Sequence, residues 1–254
     1  MTKEEFLELR SQGLTFAQIG KQFNLTERQV NYRTKTLWNL DFSKKKQLDE
    51  YFFSKGTKAT YYWGGFLAAD GWIEGDRNRV GLGLQKQDIG HLEKFKEAIG
   101  SSHDICPFMN STAYRIRFNS QPMVEDLHNI FNISPAKTHT YKMPYFEETY
   151  LLLEFLRGYI DGDGHLHKTD SGRVDLGLCS ANKQFLEEFK DICEVLLDKT
   201  IAQKIVLNIN PKGQVYNLRF NLDDSAALIK LLYKNSTEAT RLSRKYSTAL
   251  LVLS

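Results

Sequence analysis

An internal repeat is the feature that most restricts how this 254-residue chain can fold. Three segments recur in the same order in two parts of the sequence. Asp70-Gly71 matches Asp163-Gly164, RVGLGLQKQD (79–88) matches RVDLGLCSAN (173–182), and YRIRFN (114–119) matches YNLRFN (216–221). A repeat that keeps its order and spacing over this length predicts two equivalent structural halves.

Each repeat has the pattern helix, two strands, helix, two strands, helix. Val80, Leu82 and Leu84 alternate with Gly81, Gly83 and Gln85, and the other strand segments alternate likewise, which predicts strands with one buried face. The opposite face is rich in Arg, Asn and Gln, the side chains that read guanine and adenine edges in the major groove. The sequence therefore predicts an α+β fold whose antiparallel sheets bind DNA.

Glycines interrupt the apolar helical run that precedes each Asp-Gly pair, although glycine costs a helix about 1 kcal/mol relative to alanine. Gly64, Gly65 and Gly158 predict that the two helices pack closely, because small residues let backbones approach. If the helices meet near their C-terminal ends, Asp70 and Asp163 come together among free carbonyl groups.

Two adjacent carboxylates repel each other unless a cation lies between them. Hard oxygen ligands favour Mg²⁺ or Ca²⁺. A carboxylate pair beside a DNA-binding sheet predicts a divalent-metal site over a phosphodiester, and metal-assisted hydrolysis is the chemistry that suits it.

The segments WGGFLAADG (63–71) and LRGYIDGDG (156–164) resemble the motif of the LAGLIDADG homing endonucleases, in the single-chain form with two motifs. The resemblance covers roughly residues 51–254 and implies a pseudo-twofold duplicated αββαββα fold. It implies a monomer that binds a long double-stranded DNA target and cuts both strands, leaving a staggered break. Mg²⁺ is the implied cofactor, with Mn²⁺ as a substitute, and Ca²⁺ would bind without supporting cleavage.

The resemblance also implies site residues. The last acids of the motifs, Asp70 and Asp163, would bind metal and serve catalysis. The backbone carbonyls of the preceding residues, Ala69 and Gly162, would also contribute to the metal site. Ala68 replaces the earlier acid of the motif, which the second copy keeps as Asp161; that position is interpreted as structural. The implied basic residues at the edge of the site are Lys137 and Lys245, with Arg244 close to the latter. The implied polar residue of the solvent network is Gln85, with Gln87 as its rival.

One alternative stays open for the two lysines. Each lysine could instead contact backbone phosphate at the surface. The second half has Cys179 and Ser180 where the first has Gln85, which indicates that the two sites are not equivalent.

The residues expected to contact DNA from the sheets are polar or basic. They are Arg77, Arg79, Arg115, Arg117, Asn119, His165, Lys168, Arg173, Asn217 and Arg219. His165 and His167 could suggest a metal pair, but DNA contact or simple exposure is favoured because both lie on one strand face beside a turn.

The N-terminal segment GLTFAQIGKQFNLTERQVNYR (13–33) resembles a helix-turn-helix, with Gly20, Asn24 and Val30 at the close contact, the turn and the core. Its third helix would present Arg28, Gln29 and Arg33 to DNA. The alternative is a small three-helix bundle with a solvated face. The basic run of Lys44, Lys45 and Lys46 is interpreted as a solvated linker that could also contact phosphate.

The expected domains are a helix-turn-helix at 1–42, a basic linker at 43–57, a first repeat at 58–146 and a second at 147–254. The net charge of +3 is compatible with a nucleic-acid partner without indicating one. Three cysteines without a CxxC pair argue against a disulfide framework or a zinc site.

The charged N-terminus and the short apolar runs argue against a signal peptide or a membrane partner. We therefore expect a cytoplasmic location, intracellular and reducing, in a bacterial, phage or organellar host. Two further functions remain open: a DNA-binding regulator that does not cleave, and a maturase that binds intron RNA. Loss of either motif acid would favour the regulator, and both acids are present.

Overall fold

The computed structural model describes residues 1–40, 46–108, 111–210 and 213–254. It divides into two compact units, Met1–Lys45 and Lys46–Ser254, which are considered separately. Lys44 and Lys45, two of the expected phosphate contacts, lie outside the described residues. Within the described part of the chain, no helix is both long enough and apolar enough to cross a membrane.

The first unit contains three short helices, α1 (Lys3–Ser11), α2 (Phe16–Gln22) and α3 (Glu27–Tyr32), and α3 continues into a π-helical segment, Arg33–Leu37. Each helix begins after a threonine whose hydroxyl accepts a backbone N–H from the first turn; these are Thr2, Thr15 and Thr26. In all three the side chain at the third helical position bonds back to the threonine N–H, which stabilises the helix start.

Phe6, Ile19 and Val30, one from each helix, form the core of this unit. Gly20 allows a close contact between α2 and the following turn, because a Cβ there would lie 2.5 Å from the Leu25 carbonyl oxygen. Asn24 turns the chain with a positive φ of 52°. These features match the pattern expected at Gly20, Asn24 and Val30, while a role in DNA binding remains a prediction.

The second unit contains the two halves that the repeat predicts. The first half comprises α4 (Lys58–Asp70), β1 (Gly71–Glu74), β2 (Arg79–Gln85), α5 (Ile89–Ala98), β3 (Cys106–Pro107), β4 (Ala113–Asn119) and α6 (Gln121–Phe131). The second comprises α7 (Thr149–Asp163), β5 (Gly164–Lys168), β6 (Val174–Ser180), α8 (Lys183–Leu197), β7 (Val206–Asn210), β8 (Gly213–Arg219) and α9 (Leu222–Tyr233), followed by α10 (Ser243–Leu253).

Each half contains one four-stranded antiparallel sheet, in the orders β1-β2-β4-β3 and β5-β6-β8-β7. The apolar face of each sheet is buried, as the alternation of Val80, Leu82 and Leu84 predicts. The buried residues of both halves join into one hydrophobic core. The predicted α+β class and the duplicated element order are therefore confirmed.

Helices α4 and α7 pack against each other along a seam that joins the halves. A Cβ on Gly65 would lie 2.0 Å from the Phe155 carbonyl oxygen, and a Cβ on Gly158 would lie 2.0 Å from that of Tyr62. Both glycines are therefore required for the close approach of the two backbones. Gly64 has a different role, because its missing Cβ makes room for the ring of Phe131 in α6.

The strand register corrects one part of the sequence alignment. Gly71 pairs with Leu82, and its counterpart Gly164 pairs with Leu178, whereas the matched letters RVGLGL and RVDLGL align Leu84 with Leu178. The alignment is wrong by two residues here. A two-residue slip preserves the alternation of buried and exposed faces, so the pattern alone does not reveal it. The structural counterpart of Cys179 is consequently Gly83, not Gln85.

Candidate active site at the helix seam

The two motif acids lie at the same end of the seam. Helices α4 and α7 end at Asp70 and Asp163, and the chain passes directly into β1 and β5. A Cβ on Gly162 would lie 2.4 Å from the Cβ of Ala69 and 3.5 Å from Oδ2 of Asp70. The C-terminal turns of the two helices are thus in contact, as their glycines predict.

The glycine after each acid permits the abrupt change from helix to strand. Gly71 and Gly164 both leave the helix with extended dihedral angles. A Cβ would lie 2.7 Å from the carbonyl oxygen of Leu67 in the first case and of Ile160 in the second. The Asp-Gly pair therefore fixes each carboxylate at the junction between a helix and a sheet.

Loss of hydration disfavours ionisation of both acids, and the neighbouring carboxylate adds to this effect at Asp70. Desolvation, followed by the charge of Asp163, raises the pKa of Asp70 to about 6. Asp163 is exposed, yet the surrounding protein displaces enough water to raise its pKa as well. Lys137, Lys245 and the hydroxyl of Tyr159 act in the opposite direction on the pKa of Asp163. A pair of carboxylates held together in this way attracts cations.

Both lysines expected at the site cap the helix that carries their own half's acid. The Lys137 ammonium donates to the carbonyl oxygens of Gly71 at 2.7 Å and Ala69 at 3.4 Å. The Lys245 ammonium donates to Gly162 at 3.0 Å and also to the carbonyls of Ile160, Asp161 and Gly164. The carbonyls of Ala69 and Gly162, expected beside the metal, therefore accept lysine hydrogen bonds.

Burial lowers the pKa of both lysines, and that of Lys245 falls to about 8. Lys245 is the more enclosed residue, with 5% of its surface exposed. Lys137 instead reaches an open cavity of about 300 Å³, which is also lined by Asp163, Cys179 and Ser180. The two lysines thus occupy matching positions in different surroundings.

Gln85 lies away from the acids. Its position on β2 is three residues beyond Leu82, the partner of Gly71, which is a distance of roughly 10 Å along the strand. Its side-chain oxygen accepts a hydrogen bond from the Thr112 hydroxyl at 2.9 Å. Its rival Gln87 is exposed in the turn that follows β2.

One residue beside the acids, Tyr159, was not singled out from the sequence, whereas Asp161 was interpreted there as structural. The Tyr159 hydroxyl lowers the pKa of Asp163, and its position four residues earlier on α7 could have indicated this proximity, because such residues share a helix face. Asp161 accepts hydrogen bonds from the hydroxyls of Tyr62 at 2.8 Å and Tyr233 at 2.6 Å. Since Tyr62 belongs to the first half, buried Asp161 ties the halves together beneath the site.

The residues expected to contact DNA differ in how far they are engaged within the protein. Arg79 bonds Glu74 at 2.9 Å and Asn119 at 3.1 Å. Several others also have partners: Arg77 with Glu74 and Asp76, Arg173 with Asp223, Arg219 with Asp175, Arg115 over the Phe108 ring, and Asn217 with Cys179. The ring of His165 packs over Gly177.

Arg117 and Lys168 are exposed and make no ion pair within the described ranges, so both are available to an anionic ligand. Lys46 pairs with Asp104 at 2.5 Å. In the first unit, Arg28 is exposed, the Gln29 side chain caps Thr26, and Arg33 donates to the Met1 carbonyl at 3.4 Å.

Comparison with known proteins supports the fold. Residues 151–231 match the family model of the LAGLIDADG-like domain. The I-LtrWI LAGLIDADG homing endonuclease bound to target DNA superposes with a TM-score of 0.50 at 11% identity, over 77% of this chain and 89% of that chain. I-DmoI in complex with DNA and Ca gives a TM-score of 0.49 at 16% identity, over 78% and 98%.

Full-length DUF199/WhiA from Thermatoga maritima gives a TM-score of 0.50 at 12% identity; the match covers 81% of this chain and 64% of WhiA. No curated protein sequence matches the chain. Residues 151–231 are therefore similar to the LAGLIDADG-like domain, and the chain has the fold of the LAGLIDADG homing endonuclease I-LtrWI.

Proposed function

We propose that this protein is a site-specific endonuclease that cleaves both strands of DNA with the help of a divalent metal ion. The observation that carries the proposal is the pairing of Asp70 and Asp163 at one end of the seam, with a buried or half-buried lysine beside each. The solved structure of I-LtrWI, which shares the fold, is bound to its target DNA.

The site fits a divalent ion that is shared with the substrate. Within the described ranges, no group of three or more His, Cys, Asp or Glu residues could hold a metal ion by itself. The two carboxylates instead provide oxygen ligands of the kind that Mg²⁺ and Mn²⁺ prefer, and a cation would relieve the repulsion that, after desolvation, raises the pKa of Asp70. Phosphate oxygens of the DNA would complete the coordination.

When bound, the ion would neutralise charge on the phosphodiester and lower the pKa of water. Asp70 and Asp163 would hold Mg²⁺, while Ca²⁺ would bind without cleavage. Lys137 and Lys245 keep the carbonyls of the motif helices occupied and supply positive charge beside the reacting phosphates.

The polar faces of the two sheets would bind successive major grooves of a long target. Arg117 and Lys168, which have no ion-pair partner among the described residues, would contact DNA directly. The three-helix unit would lengthen the contact as a helix-turn-helix, with Arg28 exposed on α3. A monomer suffices, because one chain supplies both acids, and a DNA substrate together with three free cysteines suits a reducing intracellular location.

Incubation with the DNA that flanks the gene's own insertion point tests the proposal. We expect cutting of both strands in Mg²⁺ and binding without cutting in Ca²⁺. The double variant Asp70→Asn/Asp163→Asn should abolish cutting of both strands and keep binding, and Lys230→Met on α9 is a control that should change neither cutting nor binding. Tight binding without cutting in any divalent ion would instead identify a regulator, and binding of intron RNA alone would identify a maturase.

A further inference from the structure

Two segments of the second unit cross from one half to the other. The segment 137–143 follows α6 of the first half but packs on the second. The Tyr141 ring lies 5.4 Å from that of Phe185, and its carbonyl accepts the Asn182 amide at 2.7 Å. The backbone N–H of Met143 donates to Glu188 at 2.9 Å. Lys137 begins this crossing segment.

The segment 238–245 makes the reverse crossing. It follows α9 of the second half, yet Glu238 pairs with Lys94 of α5 at 2.5 Å. Arg244 pairs with Asp88, also in the first half, at 3.0 Å. Lys245 directly follows this contact. Each lysine therefore caps the motif helix of its own half while its chain segment is anchored on the opposite half.

The first crossing places Lys137 beside the acid of the other half, and the duplicated element order assigns Lys245 to Asp70 in the same way. Lys137 shares one cavity with Asp163, Cys179 and Ser180, all from the second half.

The two pairs differ in access. The Lys245 ammonium contacts four backbone carbonyls and is almost fully buried, and Asp70 is half-buried. Lys137 contacts two carbonyls and lines an open cavity, and Asp163 is exposed. An ammonium with fewer internal partners retains more capacity to bond a phosphate oxygen or water.

Resting on the proposed nuclease function, we infer that the protein has two composite sites, Lys137 with Asp163 and Lys245 with Asp70. Each site combines a lysine from one half with an acid from the other. The Lys137–Asp163 site is the open one and cuts its DNA strand first. Removing either member of this pair therefore protects the same strand.

Cleavage of a target labelled differently on its two strands provides the first test. The wild-type protein should accumulate a nicked intermediate with one strand cut. Lys137→Met and Asp163→Asn should each slow that cut by roughly 10²-fold or more, whereas Asp70→Asn should slow the other strand more. Affinity for DNA, measured in Ca²⁺, should stay within a few-fold. Protection of different strands by Lys137→Met and Asp163→Asn, or equal cutting of both strands by the wild type, would overturn the inference.

A cross-linking test is independent of activity. In a Cys106→Ser background, a short bismaleimide should bridge the thiol of the K137C variant to native Cys179. Intact-protein mass spectrometry should then show one reagent molecule bound per chain. The matched variant R77C, at the exposed β1–β2 turn, should take one reagent on each thiol instead. Two separate adducts on K137C would contradict the shared cavity. If the bridge forms but no strand is ever cut, the nuclease proposal fails while the composite geometry stands.

Discussion

The charge on Asp70 destabilises the folded protein when no cation is bound. Its pKa is raised from 3.8 to about 6, so the folded state holds the proton more tightly than the unfolded chain does. Below about pH 4 both states are protonated and there is no penalty. As the pH rises from 4 to 6 the unfolded state ionises first, and the free energy of unfolding falls.

We therefore expect Asp70→Asn to stabilise the metal-free protein by about 1–3 kcal/mol at pH 7 and by almost nothing at pH 4. Urea denaturation at both pH values measures the difference. Asp76→Asn, at an exposed position, is the control and should change stability by less than about 0.5 kcal/mol at either pH. A pH-independent gain for Asp70→Asn would show that its carboxyl is not desolvated.

The two lysines should differ in how much they stabilise the fold. Lys245→Met leaves four carbonyls at the end of α7 without their common donor, and we expect a loss of roughly 2–4 kcal/mol. Lys137→Met should cost about 1 kcal/mol, because fewer carbonyls lose a donor and water can enter the cavity. Urea unfolding at pH 7 measures both, and the reverse order would contradict the difference in burial.

Single residues also show what sequence reasoning can and cannot locate. Asp70, Asp163, Lys137 and Lys245 were all expected at one site, and the structure brings them together. Helix ends and repeated motifs predicted the two acids locally, whereas the two lysines were implied by the resemblance to the LAGLIDADG family. Gln85 was expected there too, but its distance from the acids depends on strand pairing. The crossing of the lysine segments depends on tertiary packing, which no local pattern encodes.

At the scale of the elements, the seam between α4 and α7 depends on two glycines. We expect Gly65→Ala and Gly158→Ala each to cost roughly 2–4 kcal/mol, because the new methyl group would meet backbone carbonyls that cannot move independently. Gly90→Ala in α5 is the matched control: nothing lies within 4 Å of its Cβ position, and alanine should stabilise this helix by up to about 1 kcal/mol.

Thermal and urea unfolding of the three variants distinguish a specific close approach from a general effect of helix propensity. If all three alanine variants were stabilising, the helices of the seam would have to be further apart than described. The glycines of the seam were largely predictable, because a helix rarely keeps such residues without a packing reason. Gly64 was not, because its partner Phe131 comes from a distant helix.

The sheets show the same limit of sequence information. The alternation of apolar and polar residues identified the buried face of each sheet, and the segments repeated between the two halves identified the strands. The sequence alignment of β2 with β6 was wrong by two residues. The β1–β2 and β5–β6 hairpins differ in length, and this difference shifts a strand without changing its alternation. Only pairing across the sheet shows that Gly81 and Gly177 are equivalent, each facing a ring from the neighbouring strand.

At the scale of the whole molecule, two separate cores allow the two units to be tested independently. Phe6, Ile19 and Val30 form one cluster, and the buried residues of the two repeats form the other. We expect residues 46–254 to fold cooperatively without residues 1–45, because among the residues that the structure describes no buried residue of the larger core belongs to the N-terminal unit. Circular dichroism and urea unfolding of the truncated chain measure this.

DNA binding by the truncated chain then decides what the three-helix unit does. If α3 contacts phosphates, truncation should weaken binding and reduce the slope of log K against log salt by about 0.9 for each lost contact. Arg28→Gln in the full chain should remove about one such contact, and Lys21→Gln on α2 is the comparison that should change the slope less. The cut position should not move, because Asp70, Asp163 and both lysines remain. Unchanged affinity and slope after truncation would restrict DNA recognition to the duplicated unit, and the three-helix unit would then need a partner other than the target.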